Sequence, residues 1–283
     1  MKVLSIIIFS LLITATTFAQ KPDKLLIRVR YTQIKKNDTL ADGKPRYENM
    51  MLFVGKNASL FTSYDKMAHE ISEDQKFRAR ILTGNVPKVS IIDSKPTERM
   101  SKIDYFYFTK ENILVTKEVI ALQSFIIEEP APKINWQITK DTAIFSGINC
   151  VKAIANYENK NWVVWFAPSL PFQTGPWKLN SLPGLIIDAY DDNKDLHYQF
   201  AGIDNAKEGD IQRTFDVTKR PNAQPGDYNA VDQMIGRDVA SAYFDQIIKL
   251  PIGAVQTTRK EFDKLQEAFK KDPRGFVRSQ NRY

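Results

Sequence analysis

Polarity alternates at every second residue through much of this chain, the period of a pleated strand with one covered face. Between Leu25 and Ile34, the residues Leu25, Ile27, Val29 and Tyr31 fall on one side, and Leu26, Arg28, Arg30 and Thr32 on the other. The runs ENMMLFVG and ASLFTSY follow, parted by Lys56-Asn57, and predict a meander. Residues 64–80 change period: Met67, Ile71, Phe77 and Ile81 fit a rough three-to-four spacing among polar residues, which predicts a helix with Ser63 as its N-cap. Gly84, Asn85 and Pro87 mark a loop. Strand patterning then returns in IDYFYFTK, in ILVTKEVIAL after a turn at Glu111-Asn112, and in SFIIEE before the breaker Pro130-Ala131-Pro132.

The middle of the chain reads as consecutive hairpins. KINWQIT, DTAIF, INCVKAIANY and NWVVWFA are β-branched or aromatic runs parted by Ser146-Gly147 and by residues 158–161. LIIDAY and LHYQFAG are strands joined by the acidic turn Asp191 to Asp195. Further on, FDVT is short and Pro221 to Gly226 forms a loop. The run from Asn229 to Leu250 places Val231, Ile235, Val239, Ala242 and Tyr243 at helical intervals. A last helix starts at Thr258, whose spacing to Glu261 is that of a capping box, and turns Phe262, Leu265 and Phe269 inward. The pattern predicts a mainly β, β-rich α+β fold: an antiparallel meander bent into a curved sheet or open half-barrel, with a few covering helices. No internal repeat and no long linker divides it.

Composition changes this picture at three points. The first 19 residues have the order of an export signal: Lys2, the apolar run Val3 to Ile13, then TATTFA ending at Ala19. Cleavage there is expected to yield a soluble periplasmic or secreted product with no integral membrane span, and no nearby cysteine invites acylation. The formal net charge of +7 is mild for 283 residues, and Arg259 to Tyr283 carries eight Lys/Arg against four Asp/Glu, so no broad nucleic-acid footprint exists. Cys150 is the only cysteine, which forbids an internal disulfide, and His69 and His197 are the only histidines.

Catalytic signatures are scarce. The chain contains no G-x-S-x-G, G-x-G-x-x-G, P-loop or H-E-x-x-H. Asp191, Asn193 and Asp195 match the opening of a calcium loop, but Leu196 and Gly202 stand where that loop needs glycine and glutamate. With His197 beside them, Asp191 and Asp195 form the one candidate metal set. No cofactor is implied. Cys150 reads better as a small buried hydrophobe than as a nucleophile. All four tryptophans fall between Trp136 and Trp177, and Trp162 and Trp165, three apart in a strand, face opposite sides. Trp136, Trp162, Trp165, Trp177 and Asp188 are the candidate binding residues, suited to an apolar or extended ligand on a concave sheet.

The stretch SLPGLIIDAYDDN resembles the signature of the GLPGLI family, exported proteins of Bacteroidota-type bacteria. INWQIT, GINCVKAIANY and NWVVWFAPSLPFQTGPWKL resemble that family's upstream segments in order and spacing. The resembling motif residues are Gly175, Pro176, Leu182, Pro183, Gly184, Leu185 and Ile186, and Ser181 departs from the pattern by replacing a glycine. The resemblance covers residues 134–190 and implies one β-rich domain over residues 20–283 with a helical C-terminal part. It also implies an envelope role beside a TonB-dependent outer-membrane system; with the tryptophan-rich sheet and the scarcity of catalytic signatures, the expectation is a non-enzymatic protein that binds an apolar ligand or an outer-membrane partner. A carboxylate-based or metal-dependent exported hydrolase using Asp188, Asp191 to Asp195 and His197 is the alternative.

Overall fold

A computed structural model describes residues 21–39, 43–82, 100–121, 123–205, 242–243, 245–251 and 253–280. The expected signal segment, the loop at Gly84 to Pro87, FDVT and Pro221 to Gly226 lie outside these residues. The strands are β1 (Asp23–Thr39), β2 (Pro45–Gly55), β3 (Ala58–Ser63), β4 (Asp104–Phe108), β5 (Ile113–Ile120), β6 (Gln123–Pro130), β7 (Gln137–Phe145), β8 (Ile148–Tyr157), β9 (Lys160–Ala167), β10 (Leu185–Asp191), β11 (Leu196–Asn205), β12 (Ile247–Ile248) and β13 (Val255–Thr257). The helices are α1 (Tyr64–Leu82), α2 (Arg259–Lys271) and α3 (Pro273–Gln280).

The strands join in one sheet in the order β13-β6-β5-β4-β3-β2-β1-β11-β10-β9-β8-β7, with β12 added beside β1. Two meanders therefore meet where β1 pairs with β11. The β13–β6 pair is parallel and the others are antiparallel. β6 and β7 stand ten places apart in this order, about 48 Å across a flat sheet at normal strand spacing. Only residues 131–136 connect them, and fully extended they reach about 25 Å. The sheet must curl. Its two ends do not pair, so the result is an open, curved sheet and not a closed barrel.

Local chemistry explains the turns. Ser146-Gly147 (φ +48° and +83°) and Glu158-Asn159 (φ +49° and +59°) are two-residue turns with both central residues left-handed, the hand that matches strand twist. Lys160 and Asn161, read as turn residues from sequence, belong to β9. Ser63 Oγ accepts the Lys66 amide (3.0 Å) at the start of α1. Thr258 and Glu261 form a reciprocal capping box on α2. KINWQIT and DTAIF are not separate strands: Trp136 stays outside the ladder, and β7 runs from Gln137 through a bulge between Ile138 and Thr142. The end of the helix expected over residues 229–250 is also different, because Ile248 and Ile247 pair with Asp23 and Lys24 as β12.

Both faces of the sheet are covered over β2 and β3. The inner core joins Val29, Tyr31, Leu52 and Phe61 to Ala153, Trp162, Val164 and Phe166, so the two meanders face each other across it. The outer core packs Met67 and Ile71 of α1, with Tyr243 and Ile248, on Met51, Phe53, Leu60 and Phe106. Beneath α1 lies a buried charge network. Asp104 Oδ1 takes Lys66 Nζ and Thr62 Oγ1, each at 2.5 Å, and Asp104 Oδ2 lies 3.6 Å from Lys117 Nζ. Burial opposes charge on Asp104, but the Lys66 and Lys117 ammonium groups hold its carboxyl below the usual carboxylate range. Phe262 of α2 packs on Ile120, Phe125 and Ile127, and Arg259 bonds Glu118 Oε1 (2.7 Å) and Thr116 Oγ1 (3.0 Å). No helix among the described residues is long and apolar enough to cross a membrane.

Candidate functional site

The inner face that the tryptophans were expected to line is filled by the chain itself. Between β9 and β10, residues 170–184 turn into the hollow, where Leu179 and Leu182 are buried. Trp162 is fully buried, stacks on Tyr198 (6.3 Å, 12°) and meets Trp177 of the inserted segment at 5.5 Å. Tyr157 meets Trp177 at 5.6 Å, and Lys178 Nζ lies in cation–π range at 5.4 Å from the ring centroid. Trp136 Nε1 donates to the Asn180 carbonyl (2.8 Å), which accounts for its departure from β7. Between the segment and the wall made by Phe61, Tyr105, Tyr107 and Leu114, the seam has no room for a water molecule. Three of the four candidate indoles thus meet around this insert.

The motif residues seat the insert. An added Cβ on Gly184 would lie 2.3 Å from the Ala167 carbonyl oxygen, and one on Gly175 would lie 2.7 Å from Ile186 Cβ, so any larger residue collides. Leu185 N donates to Leu170 O (2.9 Å) and Ile186 N to Thr174 O (3.0 Å). Leu182, Leu185 and Ile186 are buried, Pro176 is buried beside Gly175, and Pro183 is exposed at the bend. Tyr31 Oη donates to the Ile186 carbonyl (2.6 Å). Burial first, and the charge of Asp188 second, push the Tyr31 phenol well above its ordinary value, so it remains a donor. Ser181 has φ +69°, the conformation in which a glycine would be unstrained. Its Oγ bonds the Asn180 side-chain oxygen.

Trp165 and Asp188 lie on the opposite face, directly paired across β9 and β10. Asp188 sits at a bulge, where its Oδ2 accepts the Phe200 amide (3.1 Å) that the diverging main chain no longer serves. Its Oδ1 meets His197 Nε2 at 2.9 Å, and Tyr190 stands edge-on to the imidazole at 5.3 Å. Burial, then Asp188, pushes the Cys150 thiol up to about 11, which leaves it protonated and inert at neutral pH.

The metal set expected from Asp191, Asp195 and His197 does not assemble. Asp191 Oδ2 pairs with Lys160 Nζ (2.5 Å), and its Oδ1 accepts the amides of Asp195 (2.7 Å) and Leu196 (3.1 Å). Although burial works against its charge, the Lys160 and Leu196 hydrogen bonds keep its carboxyl below the usual range. Asp191 is therefore the anchor of the β10–β11 turn, and His197 is turned to Asp188. Among the described residues no three His, Cys, Asp or Glu side chains converge to hold a metal ion. The Asp104 network escaped the sequence reading, because Lys66, Lys117 and Asp104 stand far apart along the chain and none carries a local signal of burial.

No family model and no curated protein matches the chain. Among solved structures, two crystal forms of PNGF-II are similar at the level of backbone trace. The C2 form has a TM-score of 0.48 at 11% identity over 85% of this chain. The P21 form has a TM-score of 0.44 at 12% identity over 71% of it. The chain spans about a third of the length of either, 32% and 31%.

Proposed function

We propose that this chain is an exported envelope protein of the GLPGLI type that works by binding a protein partner at the outer membrane, not by catalysis. The signal-like N-terminus and the Trp-to-LPGLI run support the export and family reading. The observation that carries the choice of a partner over an internal apolar ligand is the filled inner face, where Trp136 and Trp162 pack on residues 170–184, Trp177 among them. Exposed apolar surface instead lies on β7 at the end of the sheet, where Ile144 is 71% and Ile138 53% exposed. An open strand edge with protruding isoleucines suits the addition of an extended partner segment.

The test is a photo-crosslinker placed at Ile144 in the native host, followed by mass spectrometry of the adducts. A single outer-membrane protein is expected, and the adduct should vanish when Thr142→Pro removes an edge donor, since Phe145 and Ile148 close the turn as a hydrogen-bonded pair and alternation leaves the Thr142 amide pointing away from β8. Crosslinks that are absent, or that survive Thr142→Pro unchanged, would overturn the docking reading.

The hydrolase reading keeps one supporting observation, the Asp188–His197 pair. With Nε2–H donated to the carboxylate, Nδ1 is left as a base. Hydrolytic turnover abolished by Asp188→Asn and by His197→Gln would establish that reading in place of the first.

A further inference from the structure

A second hollow lies away from the indoles, between the tight β2–β3 turn and residues 171–174. It encloses about 220 Å³. That equals the liquid volume of roughly seven waters at 30 Å³ each and falls below the usual pocket for a drug-sized molecule. Its walls are fixed before anything enters. Asp23 Oδ2 accepts the amides of Asn57 (2.6 Å) and Ala58 (2.8 Å), and Thr109 N donates to Asn57 O (2.9 Å), so the turn is held from both sides. On the opposite wall, Thr174 N bonds Phe172 O (2.8 Å) and Thr174 O accepts the Ile186 amide (3.0 Å). Ser59 Oγ and Thr174 Oγ1, both buried and 2.7 Å apart, tie the two walls together. A site whose walls are already ordered loses little freedom on binding.

The polar lining is rich in donors. Lys56 brings three N–H groups, Gln173 two and Thr109 one, and the Ser59–Thr174 pair keeps one O–H after bonding to itself. None of the residues lining the hollow is acidic, and among the described residues Lys56 forms no ion pair. The remaining lining residues, Val54, Gly55, Ala58, Pro171 and Phe172, are apolar, and Phe172 has the largest side chain among them. A well-matched occupant carries one compact negative acceptor for Lys56 and a short hydrocarbon body for Phe172. We propose that this hollow binds a small monocarboxylate with a short apolar chain, its carboxylate on Lys56 and its chain against Phe172. A phosphate group would also satisfy the ammonium, but it brings nothing to cover Phe172 and the smaller apolar part of the lining. The proposal is independent of the β7 docking reading, since it uses no residue of that edge.

The experiment is a titration of the ¹⁵N-labelled secreted chain with hexanoate, hexanol and inorganic phosphate in parallel, followed by amide shifts. Hexanoate is expected to give saturable shifts at Lys56, Thr109 and Gln173, with hexanol weaker by about tenfold or more, the worth of one charge-assisted hydrogen bond, and phosphate weaker by about tenfold or more because it lacks the hydrocarbon chain. Lys56→Met should weaken hexanoate by a similar factor with an unchanged melting midpoint, because Lys56 is exposed and unpaired. Lys56→Arg should retain binding. Equal binding of hexanol, tighter binding of phosphate, an unaffected Lys56→Met variant, or no saturable shift at these amides would overturn the assignment.

Discussion

The two faces of this sheet are closed by opposite means. Under α1 the outer face buries ions: Asp104 between Lys66 and Lys117, with Thr62 completing the oxygen's partners. The inner face buries rings and main chain: Trp162, Trp177 and Tyr198 around an insert held by Gly175 and Gly184. Ions tolerate small displacements but not the loss of a partner, since an uncompensated buried charge is costly. Close-packed backbone tolerates the loss of polar contacts but not an added atom. The same strands β3 and β4 serve both, so each strategy can be tested while the other stays intact.

The largest effect is expected on the ionic side. Asp104→Ala removes the carboxylate that lies between the buried Lys66 and Lys117 and should destabilise by about 3–5 kcal/mol, read from denaturant unfolding. The pH dependence follows in sign. Because the folded Asp104 and Asp191 carboxyls titrate below their unfolded values, their stabilisation is complete above the unfolded value near pH 4 and is lost as pH falls through the lower folded values. Acid unfolding curves should show that loss, and Asp104→Asn should flatten the curve in that window. A wild-type stability that is constant from pH 5 to pH 2 would contradict the linkage.

On the packed side, Gly184→Ala pushes a methyl group into the Ala167 carbonyl and should cost about 2 kcal/mol, within the usual range for overpacking, with tryptophan fluorescence reporting a loosened Trp177. The smallest effect is a gain. Ser181→Gly removes the strain of a left-handed serine and should raise stability by about 1 kcal/mol, measured as a higher denaturant midpoint. If Ser181→Gly destabilises instead, the Oγ contact with Asn180 outweighs the backbone strain.

The outer limits of the fold were legible because strand periodicity is local. The alternation in LLIRVRYTQI corresponds to Val29 and Tyr31 facing the inner core, and the capping box at Thr258 is a four-residue signal. What could not be read depends on residues far apart. Trp136 leaves its strand for a carbonyl 44 residues later, and β13 pairs with β6 across more than a hundred positions. Ile247 and Ile248 carry helical spacing, yet an exposed end of β1 captures them. Opposite faces for Trp162 and Trp165 follow from the strand period alone, whereas the filling of the hollow by residues 170–184 does not, because nothing in TGPWKLNSLPG marks it as an inward-turning segment. Asp191 and His197 look like ligands in sequence because a turn anchor and a metal ligand use the same oxygen and nitrogen atoms; only Lys160 and Asp188 tell them apart.

The seam between the meanders has a consequence for assembly. Arg28 meets Asp204 across 176 positions, so β1, the first of the described strands to be synthesised, cannot gain β11 until nearly all the strands have followed it. Each half can zip up by neighbouring hairpins, whereas their union requires a long closure that pays its chain entropy before any contact repays it. Throughout that interval the long inner edge of the first half stands open, and an escort that shields nascent strands would act on β1 before any other part of the molecule.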